Sequence, residues 1–298
     1  MSQISASDVK KLRELSGAGM MDCKKALAEV DGDMDKAIDF LRKKGLSAAA
    51  KKSGRVAAEG VVLAMAEGDK GVILEVNAET DFSSKNDTFQ AFVKRLAEVI
   101  MAENPADIDA LKALPYDGGE SVEETLTQLI ATIGENMSIR RFQRIQVDGG
   151  VTAAYVHGDG KIGVLLGVKG SADDELANTA RGIAMHVAAS NPQYIHREDV
   201  STDAVERERK VLSERAAASG KPANIIEKIV DGQLNKFYSE ICLLEQAYVM
   251  DTDNTVGKAL KAIQPDADVV AMHRFQLGEG IEKAESDFAA EVAAQVNG

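Results

Sequence analysis

Through residues 1–45 the apolar positions return every three or four residues and are broken twice by short glycine-bearing stretches, which predicts a compact three-helix unit. Ser5 or Ser7 can cap a first helix carrying Val9, Leu12 and Leu15. Ser16-Gly17-Ala18-Gly19 ends it, because glycine accepts the positive φ that a helix terminus often needs. A second helix holds Met21, Ala26, Leu27 and Val30. Asp31-Gly32-Asp33 breaks the chain, and Asp33 can cap a third helix with Ala37, Ile38 and Leu41, expected to stop at Gly45. Residues 46–58 are small and basic, lack large apolar anchors, and read as a linker.

From residue 59 the period changes. Val61-Val62-Leu63-Ala64-Met65 and Gly71-Val72-Ile73-Leu74-Glu75-Val76 flank a Glu67-Gly68-Asp69 turn, the signature of an antiparallel hairpin. After Thr80-Asp81-Phe82 a helical stripe follows through Phe89, Phe92, Val93, Leu96 and Ile100, closed by Asn104-Pro105. The same plan then returns. Val151–Val156 and Gly163–Val168 flank His157-Gly158-Asp159-Gly160, and a helix through Ile183, Ala184, Val187 and Ala188 closes at Asn191-Pro192. Gly71-Val72 aligns with Gly163-Val164, and Asn104-Pro105 with Asn191-Pro192, so the body reads as a duplicated hairpin-plus-helix unit. The expected domains are residues 59–145 and 146–277, in an α+β fold.

Two segments fall outside the repeat. Residues 203–237 are charged and helical and are split by Ser219-Gly220-Lys221-Pro222, which predicts a helical hairpin whose first arm reaches roughly 20 Å. Residues 237–250 and 267–277 read as strands. Residues 278–298 carry Ile281, Ala284, Phe288, Val292 and Val296 on one stripe, a terminal helix suited either to capping its own core or to docking on a partner.

Composition narrows the function. The 298 residues carry a net charge of -13, so a phosphate backbone is not the expected main partner. The basic residues Arg42, Lys43, Lys44, Lys51, Lys52 and Arg55 read as a solvated helix end and linker. Aromatics make up 4% with no Trp, leaving Ala, Val, Ile, Leu and ten Met to do the packing. Two lone cysteines indicate a reducing compartment and not a disulfide framework. Residues 1–5 lack the charged and apolar regions of a signal peptide, and no apolar run approaches the ~20 residues of a membrane span. A cytoplasmic protein is expected.

No catalytic constellation emerges. The chain has no phosphate-loop motif, no Cys-x-x-Cys and no His-Glu-x-x-His, and its four histidines lack ligand spacing. Cys23, flanked by Lys24 and Lys25, and His186 read better as helix-core residues than as nucleophile or base. Asp173-Asp174-Glu175 fits a helix N-terminus. The expectation is a binding protein and not an enzyme, with no cofactor and no metal.

Several stretches together are more specific. Thr80-Asp81-Phe82 followed by Lys85-Asn86 resembles the Thr-Asp-Phe-Val-Ala-Lys/Arg-Asn signature of the bacterial elongation factor Ts family. Gly17–Leu27, Ile133–Arg141, His186–Ser190 and Gly278–Lys283 resemble further stretches of that family, in order along essentially the whole chain. The resemblance implies a three-helix, ubiquitin-associated-like module, two related core subdomains, an inserted coiled-coil hairpin and a C-terminal module. It also implies an exchange factor that binds the GDP form of the GTPase elongation factor Tu. Thr80, Asp81, Phe82 and Ser83 would intrude near the nucleotide's magnesium and dislodge it. Arg13, Met20, Met21, Ile139 and His157 would supply further contacts. Read without the family, Thr80 caps the next helix, Phe82 fills local core, and Met20 and Met21 belong to the three-helix core. One departure stands out: Ser83-Ser84 occupies the place where the family usually has Val-Ala. The rivals are an adaptor that uses the three-helix module without driving exchange, and an enzyme using Cys23 or His157. Whether one factor or a paired assembly engages the GTPase is left open.

Overall fold

The computed structural model describes residues 4–117, 119–218 and 222–282. Helices α1 (Ala6–Ser16), α2 (Met20–Glu29) and α3 (Met34–Lys52) form the N-terminal module. Ser5 makes the first cap: its Oγ accepts from the Asp8 N–H at 3.1 Å, and the Asp8 carboxylate accepts from the Ser5 N–H at 3.3 Å. Gly17, at φ 63°, closes α1 by donating its N–H to the Arg13 carbonyl. Asp33 caps α3 through the Lys36 N–H. Leu12, Cys23, Ala26, Leu27 and Ala37 are fully buried between the helices.

Helix α3 does not stop at Gly45 but continues to Lys52, through the first half of the stretch expected to be a linker. Ala48-Ala49-Ala50-Lys51-Lys52 are strong helix formers, and Gly45 lies buried within the helix instead of ending it.

The chain continues through β1 (Glu59–Glu67), β2 (Lys70–Ala78), the short turn of helix α4 (Asp81–Ser84), α5 (Asp87–Glu103), α6 (Ile108–Ala113), α7 (Val122–Ile133) and β3 (Met137–Gln146). The strand order is β1-β2-β3. Helices α6 and α7 lie outside the periods read from the sequence, although Ser121 and Glu124 form a second capping box and Val122, Leu126, Leu129 and Ile130 are buried.

Next come β4 (Gly150–His157), β5 (Ile162–Lys169), α8 (Asp174–Ser190), α9 (Thr202–Ala217), α10 (Ala223–Ile241), β6 (Ala247–Tyr248), β7 (Asp251–Thr255), α11 (Val256–Ile263) and β8 (Asp268–Gln276). Antiparallel pairing gives the order β4-β5-β8, with Ala153 opposite Leu166 and Leu166 opposite Met272. Helix α8 covers this sheet, burying Leu176, Ala180, Ile183 and Val187 against Val151, Val164 and Val168. Helices α9 and α10 pack through Leu212, Ala216, Val230 and Leu234, with Arg209 and Asp231 paired at 3.0 Å.

Residues 237–250 differ from the expected strand. Helix α10 runs on to Ile241, because Tyr238 continues the Val230–Leu234 stripe and stacks under the Arg197 guanidinium at 4.2 Å. Only residues 247–248 of that stretch join a strand. The expected strand at 267–277 is β8. The terminal stripe from Ala284 onward lies outside the described residues.

The chain divides into two compact units. One takes the described residues up to 61, those of 75–141, and those from 277; the other takes 62–74 and 142–276. Helix and sheet are mixed in both. No helix among the described residues is long and apolar enough to cross a membrane.

Candidate functional site

Strand β2 delivers the chain into a tight turn at Thr80. The Thr80 Oγ1 accepts from the Ser83 N–H at 3.2 Å, which starts α4, and the Ser84 Oγ donates to the Asp81 carbonyl at 2.7 Å. Asn86 then opens α5, its Oδ1 accepting from the Thr88 and Phe89 N–H groups. Two caps within seven residues leave the segment little freedom.

On that turn Phe82 is 82% exposed. Its expected alternative place, in local core, is taken by Phe89, which is fully buried. An exposed phenylalanine on a capped turn is costly in water and gains free energy only when something covers it. Asp81 beside it is half-exposed and pairs with the Lys85 ammonium at 3.2 Å, a surface pair that a competing cation or donor can replace at little cost. Ser83 and Ser84, by contrast, are 6% and 7% exposed. The departure from Val-Ala therefore falls on the inner side of the turn, where Ser84 ties off the Asp81 carbonyl.

The turn is also held from outside. The Glu135 carboxylate accepts from the Thr80 N–H at 3.0 Å and from its Oγ1–H at 2.8 Å. Glu79 accepts from the Asn136 N–H at 2.5 Å and pairs with Arg55 at 3.5 Å. Glu135 lies within the Ile133–Arg141 stretch, where the sequence alone points to no role for it. The signal was long-range, 55 residues away, and nothing in local periodicity reports it.

In the N-terminal module Met20 and Met21 open α2 and are 60% and 73% exposed. The three-helix core does not contain them. Leu15, expected on the core stripe, is likewise exposed, and so is Arg13. Three flexible or branched apolar side chains on one small module make an adaptable contact face. A groove of about 340 Å³ adjoins it, lined by Leu15, Ala18, Leu41, Leu46 and Ala131 among others.

Ile139 is 5% exposed, within β3. His157 lies at the exposed end of β4, its Nδ1 3.0 Å from the Tyr155 hydroxyl. The turn after it needs left-handed backbone at Gly158, Asp159 and Gly160. Thr80, Asp81, Phe82 and Ser83 form one contiguous element. Arg13, Met20 and Met21 form a second, and Ile139 and His157 belong to neither.

The thiols are not placed for chemistry. Cys23 is fully buried, its Sγ 3.6 Å from the Ala18 carbonyl, and burial pushes the Cys242 thiol up to about 11. His186 is buried in α8, as expected of a core histidine. Among the described residues no group of three or more His, Cys, Asp or Glu is arranged to hold a metal ion.

With this geometry in hand, comparison with known proteins is informative. The family described as Elongation factor TS matches residues 79–279. The "Elongation factor Ts" of Syntrophotalea carbinolica is 53% identical over 299 residues, covering 98% of this chain and 99% of the relative. That of Magnetococcus marinus is 52% identical with 99% of each chain covered, and that of Rhodospirillum rubrum 54% identical, again over 99% of each. Identity above half over whole lengths leaves no room for a merely local likeness, and the chain belongs to the elongation factor Ts family.

Proposed function

We propose that this protein is the guanine nucleotide exchange factor of elongation factor Tu in translation, acting by binding and not by transforming a substrate. It binds the GDP form and opens the nucleotide site through the Asp81–Phe82 turn. The observation that carries this reading is Phe82, 82% exposed on a turn capped at both ends, within a chain of the Ts family. A stiff aromatic wedge supplies contact area at low entropy cost. Asp81 brings negative charge to a site where a magnesium ion offsets phosphate charge, and loss of that ion weakens diphosphate binding. Met20, Met21 and Arg13, together with His157, serve as further contacts. Ser83, on the same turn, and Ile139, in β3, complete the set of contact residues.

Magnitude demands several contacts. Exchange is a reciprocal coupling between two ligands of one GTPase. Accelerating GDP loss ~10⁴-fold requires about 5.5 kcal/mol of differential stabilisation. That exceeds what a single Phe–Asp pair supplies, which gives the appended modules their purpose. Reciprocity also means that returning nucleotide weakens the factor's own hold, so the factor leaves and recycles.

In the architecture we infer, residues 1–45 form the binding module. Two related hairpin-plus-helix subdomains form the body, with α9–α10 as an inserted coiled-coil hairpin and the C-terminal residues as a further module. The protein works in the cytoplasm on a protein partner, with neither nucleic acid nor membrane as a direct ligand.

The test is release of a fluorescent GDP from elongation factor Tu with the intact chain, with Asp81→Ala/Phe82→Ala, and with no factor. Acceleration by the intact chain that the folded double variant largely loses supports both function and wedge. Binding of the intact chain without faster release removes the exchange reading and leaves the adaptor in its place.

A further inference from the structure

We propose that Glu135 is a positioning residue for exchange: by gripping Thr80 at two points, its carboxylate keeps the Asp81–Phe82 turn projecting in the orientation that meets the GTPase. The proposal rests on the exchange reading given above and assigns a further residue to it.

The turn has a problem to solve. An exposed phenylalanine gains free energy by folding back onto its own protein, so a turn that must present one needs a restraint stronger than that pull. The bonds inside the turn do not provide it. Thr80 Oγ1 to Ser83 N–H, and Ser84 Oγ to the Asp81 carbonyl, fix the shape of residues 80–84 but not the direction in which that shape points. The Lys85–Asp81 pair also lies within the segment, and both partners are largely solvated.

Outside the turn, Gln90 Nε2 on α5 donates to the Ser84 carbonyl at its far end, and residues 135–136 hold its start. Glu135 Oε2 accepts the Thr80 N–H at 3.0 Å, and Oε1 accepts the Thr80 hydroxyl at 2.8 Å. The same hydroxyl oxygen accepts from Ser83, so both its donor and its acceptor capacity are used. Two bonds from one carboxylate to one residue fix rotation as well as position, and bonds to an ionised acceptor are the stronger kind. The grip is reciprocal, because Glu79 holds the Asn136 N–H at 2.5 Å while Asn136 Nδ2 donates to the Arg55 carbonyl at 2.7 Å. Residues 79 and 80 on one side thus clamp 136 and 135 on the other, at the point where β2 gives way to the wedge. Both Glu135 oxygens are engaged within the chain, so its effect passes through Thr80.

The test uses the full chain and stopped-flow release of fluorescent GDP from elongation factor Tu, read as the maximal release rate and the half-saturating factor concentration. Glu135→Gln keeps the shape and one acceptor oxygen, and thermal unfolding confirms its fold. Loss of one charge-assisted bond predicts a maximal rate lowered about tenfold, with the half-saturating concentration moved less than about threefold. Thr80→Val, which removes the hydroxyl, should match it. In a Phe82→Ala background Glu135→Gln should cost nothing more, since the group it positions is gone. An unchanged rate in Glu135→Gln overturns the proposal. So does a loss confined to the half-saturating concentration, or the same fold-loss with and without Phe82. Failure of the wild-type chain itself to accelerate release overturns the exchange reading first, and the wild-type arm separates that outcome from the others.

Discussion

Gly71 and Gly163 each open a strand at the same point of two similar hairpins, and each is the place where the other hairpin's side chain fits. A Cβ on Gly71 would stand 2.5 Å from Leu165 Cδ1, and one on Gly163 would stand 3.3 Å from Ile73 Cδ1 and 2.5 Å from Val62 Cγ1. Ile73 and Leu165 each lie two residues beyond their own glycine. Asn104 and Asn191 repeat the correspondence at the ends of the two 17-residue helices α5 and α8, with φ of 48° and 47°.

The two glycines should tolerate a methyl group unequally. Gly163→Ala drives a Cβ into Val62, whose branched side chain has few alternative rotamers, and overpacking of this kind costs about 1–3 kcal/mol. Gly71→Ala meets the terminal methyl of Leu165 at 2.5 Å, with the Met65 carbonyl and Thr152 Cβ at 3.2 and 3.3 Å, and should cost less because its closest clash is with the far end of a longer side chain. Urea unfolding of the two variants should rank them in that order.

Phe82→Ala should separate function from stability. At 82% exposure the ring contributes little to the fold, so the unfolding free energy should move by no more than about 0.5 kcal/mol. GDP release from elongation factor Tu should nevertheless fall. A large drop in melting temperature would mean that the ring is buried in solution.

Glu75 is fully buried, and its carboxylate takes Arg140 at 2.8 Å, Arg141 at 2.7 Å and the Gly278 N–H at 2.8 Å. Burial opposes its ionisation, but the Gly278 N–H and the two guanidinium groups outweigh burial and hold its carboxyl below the usual carboxylate range. Its stabilisation is therefore complete above the carboxylate pKa of the unfolded chain and fades as pH falls through the lower folded value. Glu75→Gln leaves two arginines facing a neutral amide. It should destabilise by about 3 kcal/mol at neutral pH, as breaking a buried pair does, and by less in acid. Denaturant midpoints of wild type and variant from pH 7 downward should converge.

Two histidines should pull stability in opposite directions with pH. Burial lowers the His186 pKa, and its neutral form is built in: Nδ1 accepts the Val249 N–H while Nε2 bonds Gln246. Stability tied to His186 is present above the unfolded value near 6.5 and is lost as pH falls. His196 is raised: burial opposes its charge, but Asp268 and Asp199 win. Its contribution is present below that value and is lost as pH rises through the folded pKa. Between pH 5 and 8, His186→Gln should therefore lose less stability than wild type as pH falls, and His196→Gln less than wild type as pH rises. Parallel curves for the two variants would contradict the assignment.

What local chemistry dictates was legible in the chain. Ser5, Asp33 and Asn86 cap helices because a short oxygen side chain reaches the N–H groups just beyond it, and the period of apolar residues marked α5, α8 and both hairpins. The ordered family motifs disclosed the function, since each is a run of neighbours. Tertiary packing decided the rest. Gly45 reads as a stop, yet α3 runs through it to Lys52, and residues 237–241 read as strand until Tyr238 finds Arg197. Phe82 and Phe89 are equally apolar as letters, yet one is exposed and the other buried, and Glu135 acquires its purpose only beside Thr80. Periodicity senses the few residues within a turn of helix or a step of strand. Contacts made across fifty or more residues, such as those of Glu135 with Thr80, leave no trace in that window.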